Sequence, residues 1–148
     1  MRDAQTEVCG RCLTKGQPVG ELTVKALLAE QALRRFEHGV YRFCPNGDCA
    51  VVYFDAAGHA FTTNDVRVPV WQKNPVGTRT LCYCFDENEV SMRAEVKQTG
   101  RSAAVERVRA HIAADRCACD VRNPRGACCL GDLIQAVNRM TEHDVSHR

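Results

Sequence analysis

Leu81-Cys82-Tyr83-Cys84-Phe85 is the stretch on which the reading of this chain turns. A Cys-x-Cys pair alone fixes nothing, because two thiols do not complete a metal's coordination shell. Its meaning comes from Cys119 and from the vicinal Cys128-Cys129, which follow Asn123-Pro124-Arg125-Gly126. Together these supply four thiolates from two distant turns, the ligand set that a two-iron, two-sulfide cluster requires. The spacing is neither the plant-type Cys-x4-Cys-x2-Cys run nor that of the bacterial two-cluster ferredoxins.

Outward from that stretch, the second half of the chain is patterned for helices. Asp86 and Glu89 have the spacing of a capping box, which predicts a helix running to about Gln98 before Gly100. Ser102 opens another to about Asp115, with Ala104, Val105, Val108 and Ile112 as its apolar face. A last helix begins near Cys129 and carries Leu130, Leu133, Ile134, Val137 and Met140 on one stripe. These stripes are core, and the two middle helices bring the chain back to its own cysteine loop.

Four more cysteines occupy the first third, as Cys9-Gly-Arg-Cys12 and Cys44-Pro-Asn-Gly-Asp-Cys49. Two thiolates on one tight turn, matched by two on another, form a tetrahedral tetrathiolate site, which suits zinc. A rubredoxin-like iron site would use two Cys-x2-Cys pairs, and the second pair here is longer. Gly10 and Pro45–Gly47 are expected to supply the bends. Between the two turns, Thr23 is positioned to cap a helix to about Glu37, stopped by Gly39, with Val24, Leu27, Leu28, Ala32, Leu33 and Phe36 on one face. Residues 41–44 and 50–54 are β-prone and place the second knuckle in a hairpin. Residues 59–62 and 66–71 extend the sheet, the last at an edge because of Pro69. Residues 74–80, with Pro75 and Gly77, read as a linker. The predicted fold class is α+β: residues 1–73 a small zinc-knuckle β lobe with one helix, residues 74–148 a mostly helical lobe built around the second cysteine set.

The 148 residues carry a net charge of +2, are 45% hydrophobic and 26% charged, and include ten cysteines. So mild a charge gives no reason to expect nucleic acid. Residues 1–7 lack the apolar centre of a signal peptide, and no run approaches the roughly 18 apolar residues of a membrane span. The expectation is a cytoplasmic protein without membrane insertion. There, ten cysteines signify metal ligation or redox chemistry rather than disulfides.

These motifs together resemble the amino-terminal domain of the fused CopZ copper chaperones, a zinc site followed by a lobe similar to bacterioferritin-associated ferredoxin. The resemblance rests on the first knuckle, Tyr-Arg-Phe-Cys at 41–44, Cys-Ala-Val-Val-Tyr-Phe at 49–54, Leu-Cys-Tyr-Cys-Phe at 81–85 and Asn-Pro-Arg-Gly-Ala-Cys-Cys at 123–129. It implies Zn2+ at Cys9, Cys12, Cys44 and Cys49, and a [2Fe-2S] cluster at Cys82, Cys84, Cys119 and one of the vicinal pair. It also implies a role in copper handling, by reduction of Cu(II) or electron relay. In the fused proteins a ferredoxin-like domain with a Cys-x-x-Cys copper loop follows; the sequence to Arg148 contains none, so redox function is expected ahead of direct copper carriage.

Of the vicinal pair, Cys129 is the preferred ligand and Cys128 the alternative, because free N–H groups at a helix amino terminus suit an anionic cluster. Cys117 and Cys128 then lack a metal. They are either ordinary thiols or a pair for a soft ion such as Cu(I). Arginines 101, 107, 109, 116, 122 and 125 either offset cluster charge and attract an acidic partner or form a solvated face. His143 and His147 are read as a frayed tail rather than ligands.

Three functions compete: electron transfer in metal homeostasis, Cu(I) or other soft-metal carriage, and an iron–sulfur sensor or scaffold. The partner would be a redox protein, with a copper chaperone or transporter as the candidate. No Ser/His/Asp, paired-carboxylate or phosphate-loop arrangement points to an independent enzyme.

Overall fold

The structure, a computed structural model, describes residues 7–146, with side chains described as far as Met140. These residues fall into two units: one extends to Asn74 and includes Asp120–Ala127, and the other comprises Pro75–Cys119 and the chain from Cys128 onward. The sequence reading put 120–127 in the second lobe; the structure groups it with the first. Hydrogen bonds from first-unit side chains account for this. The Tyr53 hydroxyl donates to the Pro124 carbonyl at 2.5 Å and the Thr23 hydroxyl to the Asp120 carbonyl at 2.6 Å.

The first unit is built on an antiparallel sheet in the order β1 (Gln17–Val19), β2 (Tyr41–Phe43), β3 (Val51–Asp55) and β4 (Ala60–Thr62). Tyr41 and Phe43 are buried on either side of the more exposed Arg42, the alternation of a half-buried strand. β3 is apolar from Val51 to Phe54 and serves two cores. Val52 and Tyr53 join the main core with Val24, Leu27, Tyr41, Phe43 and Phe61, whereas Val51 and Phe54 pack with Cys9, Cys44 and Cys49. A register shift between Val51 and Tyr53 breaks the strict period of two and makes this division possible.

The expected single helix from Thr23 to Glu37 is two short ones, α1 (Glu21–Leu27) and α2 (Glu30–Leu33). Leu28 is extended, bridges Val66 and interrupts the helix, while the Ala29 N–H donates to Asp65 and the Arg67 N–H to Leu27. These pairings keep apolar Leu28 buried while satisfying backbone groups that a continuous helix would have used otherwise. Gly20 stands at the amino-terminal cap, and Thr23 lies inside α1 with its hydroxyl committed to Asp120. The strand expected over 66–71 is absent; 63–65 and 71–73 are single 3-10 turns, the first closed by a Thr62/Asp65 capping box.

In the second unit, β5 (Thr80–Cys82) pairs with β6 (Glu87–Asn88), followed by α3 (Glu89–Thr99), α4 (Ala104–Ala113) and α6 (Leu130–Ser146). The one-turn α5 (Cys119–Arg122) starts at the last residue of this unit before the excursion into the first. Asn88, rather than Asp86, caps α3 by accepting from the Ser91 N–H, because Asp86 is held in the left-handed region within the tight turn after Cys84. Gly100 closes α3 in the left-handed conformation, as its position predicts. Leu81, Met92, Val96, Ala104, Val108, Leu133, Ala136 and Met140 are buried, whereas Ile112, expected inside, is 40% exposed at the end of α4.

Among the described residues no helix is long and apolar enough to cross a membrane.

Candidate metal centres

Cys9 and Cys12 come from one turn and Cys44 and Cys49 from the ends of the β2–β3 connection. The first turn closes when Cys9 accepts from the Leu13 N–H at 2.8 Å and donates its own N–H to Thr14 at 2.9 Å. Leu13, with φ 64°, takes the left-handed position; Gly10 does not. In the second turn the Cys44 N–H continues the ladder to Val52, and the Cys49 N–H donates to Asn46. The Asn46 side chain accepts from the Asp48 N–H, and Lys73 Nζ donates to the Asn46 carbonyl at 2.6 Å.

The four sulfurs all lie within 4.8 Å of one another. Cys9 and Cys49 are 3.9 Å apart and Cys12 and Cys44 3.6 Å. Four sulfurs bound at about 2.3 Å to a central zinc ion stand about 3.8 Å apart, so both edges have the length a tetrahedral site requires. Burial pushes the Cys44 thiol up to about 12, while burial of Cys12 is outweighed by hydrogen bonds with Thr14, Asn46 and Cys44, leaving it at about 6. Deprotonated together, four sulfurs this close would repel one another, and a bound cation is what offsets that repulsion. Three of the four thiols are buried and Cys12 is partly exposed, the closed arrangement of a structural site.

The second set is organised differently. Cys82 ends β5, Cys84 lies in the tight turn that follows, Cys119 begins α5 and Cys129 immediately precedes α6. Cys84 and Cys119 sulfurs are 4.0 Å apart, and the Ala118 N–H donates to Cys84 Sγ at 3.2 Å. The Cys129 thiol and the amides of Phe85 and Cys84 draw Cys82 down to about 7 despite its burial. Cys119, Cys82 and burial push Cys129 strongly upward, and burial raises Cys84 to about 11. Thus each of the four thiols neighbours another of the set, yet among the described residues only the first tetrad converges on one point. Backbone amides also donate to the sulfurs of Cys84 and Cys82.

Of the vicinal pair, Cys129 is buried at the start of the 17-residue α6 and Cys128 is exposed. Cys117 is partly buried, and its thiol is pushed up by burial and by the neighbouring Cys119, Cys82 and Cys128. The arginines named from the sequence do not act as one group. Arg107 binds Glu87 with Nε and Nη2, both at 2.8 Å, and Glu95 with Nη1 and Nη2 at 2.7 and 2.8 Å. Arg101 pairs with Glu106, and Arg116 donates to His111, whose ring stacks on Phe85 with centroids 3.6 Å apart. Arg122 and Arg125 belong to the first unit. The side chain of His143 and all of His147 lie outside the described residues.

Sequence reasoning missed Thr23, Tyr53 and Lys73 as supports for these loops. Each acts through one hydrogen bond to a backbone carbonyl far away in sequence, a contact that a linear sequence does not display.

Residues 6–67 match the CopZ-type family described as a zinc binding domain. The X-ray structure of the Archaeoglobus fulgidus CopZ N-terminal domain superposes with a TM-score of 0.71 at 30% sequence identity, over 86% of this chain and 95% of that domain. No curated protein matches the chain. With a four-cysteine site inside the matched zinc-binding segment and the likeness extending over nearly all of the solved domain, this chain belongs to the family of CopZ N-terminal domains.

Proposed function

We propose that the protein is a metal-handling module in which zinc at Cys9, Cys12, Cys44 and Cys49 braces the first unit. Cys82, Cys84, Cys119 and Cys129 hold a [2Fe-2S] cluster that exchanges single electrons in copper handling. The family match supports the broader part, a metal-binding module of chaperone type. The observation that carries the finer part is the spread thiol set: Cys84 and Cys119 4.0 Å apart, with an amide donating to Cys84. When bound, the cluster would supply one-electron redox chemistry at a potential governed by sulfur hydrogen bonds and exposure. The chain's own contribution is to present four thiolates and aim the Ala118 amide at one of them. The donor or acceptor in this reading is a redox protein, with a copper chaperone or transporter as candidate.

A second reading is favoured by exposed Cys128 and its electrostatic neighbour Cys117. Two surplus thiols suit a soft monovalent ion such as Cu(I), which would make the module a carrier. Anaerobic purification with metal and sulfide analysis separates the readings. The first expects a red-brown protein with about two irons, about two sulfides and about one zinc per chain. A colourless protein with zinc alone would end it. Cu(I) competition titrations of Cys117→Ala and Cys128→Ala test the second, which requires weaker copper binding in both.

A further inference from the structure

We infer that Thr23 and Tyr53, neither of them a metal ligand, position two of the cluster's cysteines by anchoring the segment that joins them. The inference rests on the cluster reading above. The chain passes from Cys119 directly into Asp120–Ala127, which belongs to the first unit, and returns directly to Cys128-Cys129.

That segment is held at its start and in its middle. Thr23, 3% exposed, donates to the Asp120 carbonyl at 2.6 Å, and Tyr53, fully buried, donates to the Pro124 carbonyl at 2.5 Å. Asn123, 1% exposed, ties the turn internally: Nδ2 donates to Ala127 at 2.9 Å and Oδ1 accepts from the Arg125 N–H at 3.1 Å. The Gly126 N–H closes the same turn onto the Asn123 carbonyl at 2.7 Å. Gly126 has φ 71°, and a Cβ there would stand 2.6 Å from Thr23 Oγ1, so the loop backbone rests directly against the threonine.

A free connection between two ligands must lose its conformational freedom when metal binds, and it opens readily to release metal afterwards. Here the ordering is done beforehand by the fold of the first unit. Thr23 and Tyr53 are therefore positioning residues that act through Cys119 and Cys129.

The test uses the full chain purified anaerobically, with decay of visible absorption in excess iron chelator as the readout. Loss of one hydrogen bond that orders the segment changes a rate or equilibrium by about tenfold. Tyr53→Phe and Thr23→Val are each expected to lose the cluster about tenfold faster, with unchanged iron content at the outset. Thr23→Ser, which keeps the donor, should match the parent. Tyr41→Phe is the control, because its hydroxyl donates to the Glu37 carbonyl of the same unit and not to the segment. A lifetime within about twofold of the parent in both variants, or equal acceleration in Tyr41→Phe, overturns the inference while leaving the cluster reading intact. A parent protein that binds no iron refutes the cluster reading, and this inference with it.

Discussion

Arg107→Met is the substitution whose cost is best defined. Glu87 is 8% exposed at the side chain and faces both Nε and Nη2 of Arg107, and Glu95 is 28% exposed on the other side. Methionine keeps the methylene packing and removes the charge, so Glu87 is left buried without a partner. Breaking a buried pair costs about 3–5 kcal/mol, but the arginine is itself 40% exposed and water screens part of the interaction. We therefore expect about 2–3 kcal/mol, or a melting temperature lower by about 5–10 °C. Glu87 is the register partner of Cys82 on β5, so the damage should centre on the turn presenting Cys82 and Cys84. The assay is thermal unfolding followed by helical circular dichroism, because α3, α4 and α6 all lie in this unit. Two comparisons isolate the cause. Glu87→Gln/Arg107→Met should recover about half the loss, since the more buried of the two carboxylates, Glu87, is no longer charged, while the partly exposed Glu95 remains. Arg101→Ala breaks a pair exposed by 69% and 56% and should cost under about 0.5 kcal/mol. Equal losses in Arg101→Ala and Arg107→Met, or a shift under about 2 °C in the latter, would refute the reasoning.

Four further outcomes are expected. Cys44→Ser should release zinc and unfold the first unit, because structural zinc contributes on the order of 10 kcal/mol; selective bleaching of visible absorption with zinc retained would show that the ligand partition is wrong. Cys129→Ala should abolish or severely shift the iron spectrum and Cys128→Ala should not, which electron paramagnetic resonance of both variants decides; the reverse result would exchange the two ligands. Gly126→Ala should destabilise the first unit in urea, since both its φ of 71° and the 2.6 Å approach to Thr23 exclude a side chain. Arg107, followed by burial-opposed contacts with Ser102, holds the Glu95 carboxyl down at about 2. Because the folded value is depressed, this stabilisation is complete above the ordinary value of 4.5 and disappears as pH falls toward 2. In a carboxyl NMR titration Glu95 of Arg107→Met should protonate near its ordinary value instead.

Local chemistry made much of this protein legible in its sequence. Paired cysteines at short spacing on turns mark a tetrathiolate site because each turn sets its own sulfur separation. The β2–β3 hairpin follows from Tyr41, Phe43 and the apolar run after Cys49. The stop of α3 follows from Gly100, and the start of α6 from the stripe through Leu133 and Met140. All of these depend on neighbours within a few residues along the chain.

Contacts between distant residues decided the rest. The helix through Leu28 breaks because Val66 supplies a competing bridge partner. The register shift in β3 splits four consecutive apolar residues between two cores, a choice that hydrophobicity alone leaves open. Arg107 is an ordinary helix-surface arginine in sequence and becomes a double clamp only when Glu87 and Glu95 surround it. Residues 120–127 carry no mark of the unit to which they belong. The hydroxyls of Thr23 and Tyr53 tie it to the first unit, the latter because the buried Pro124 carbonyl must find a donor.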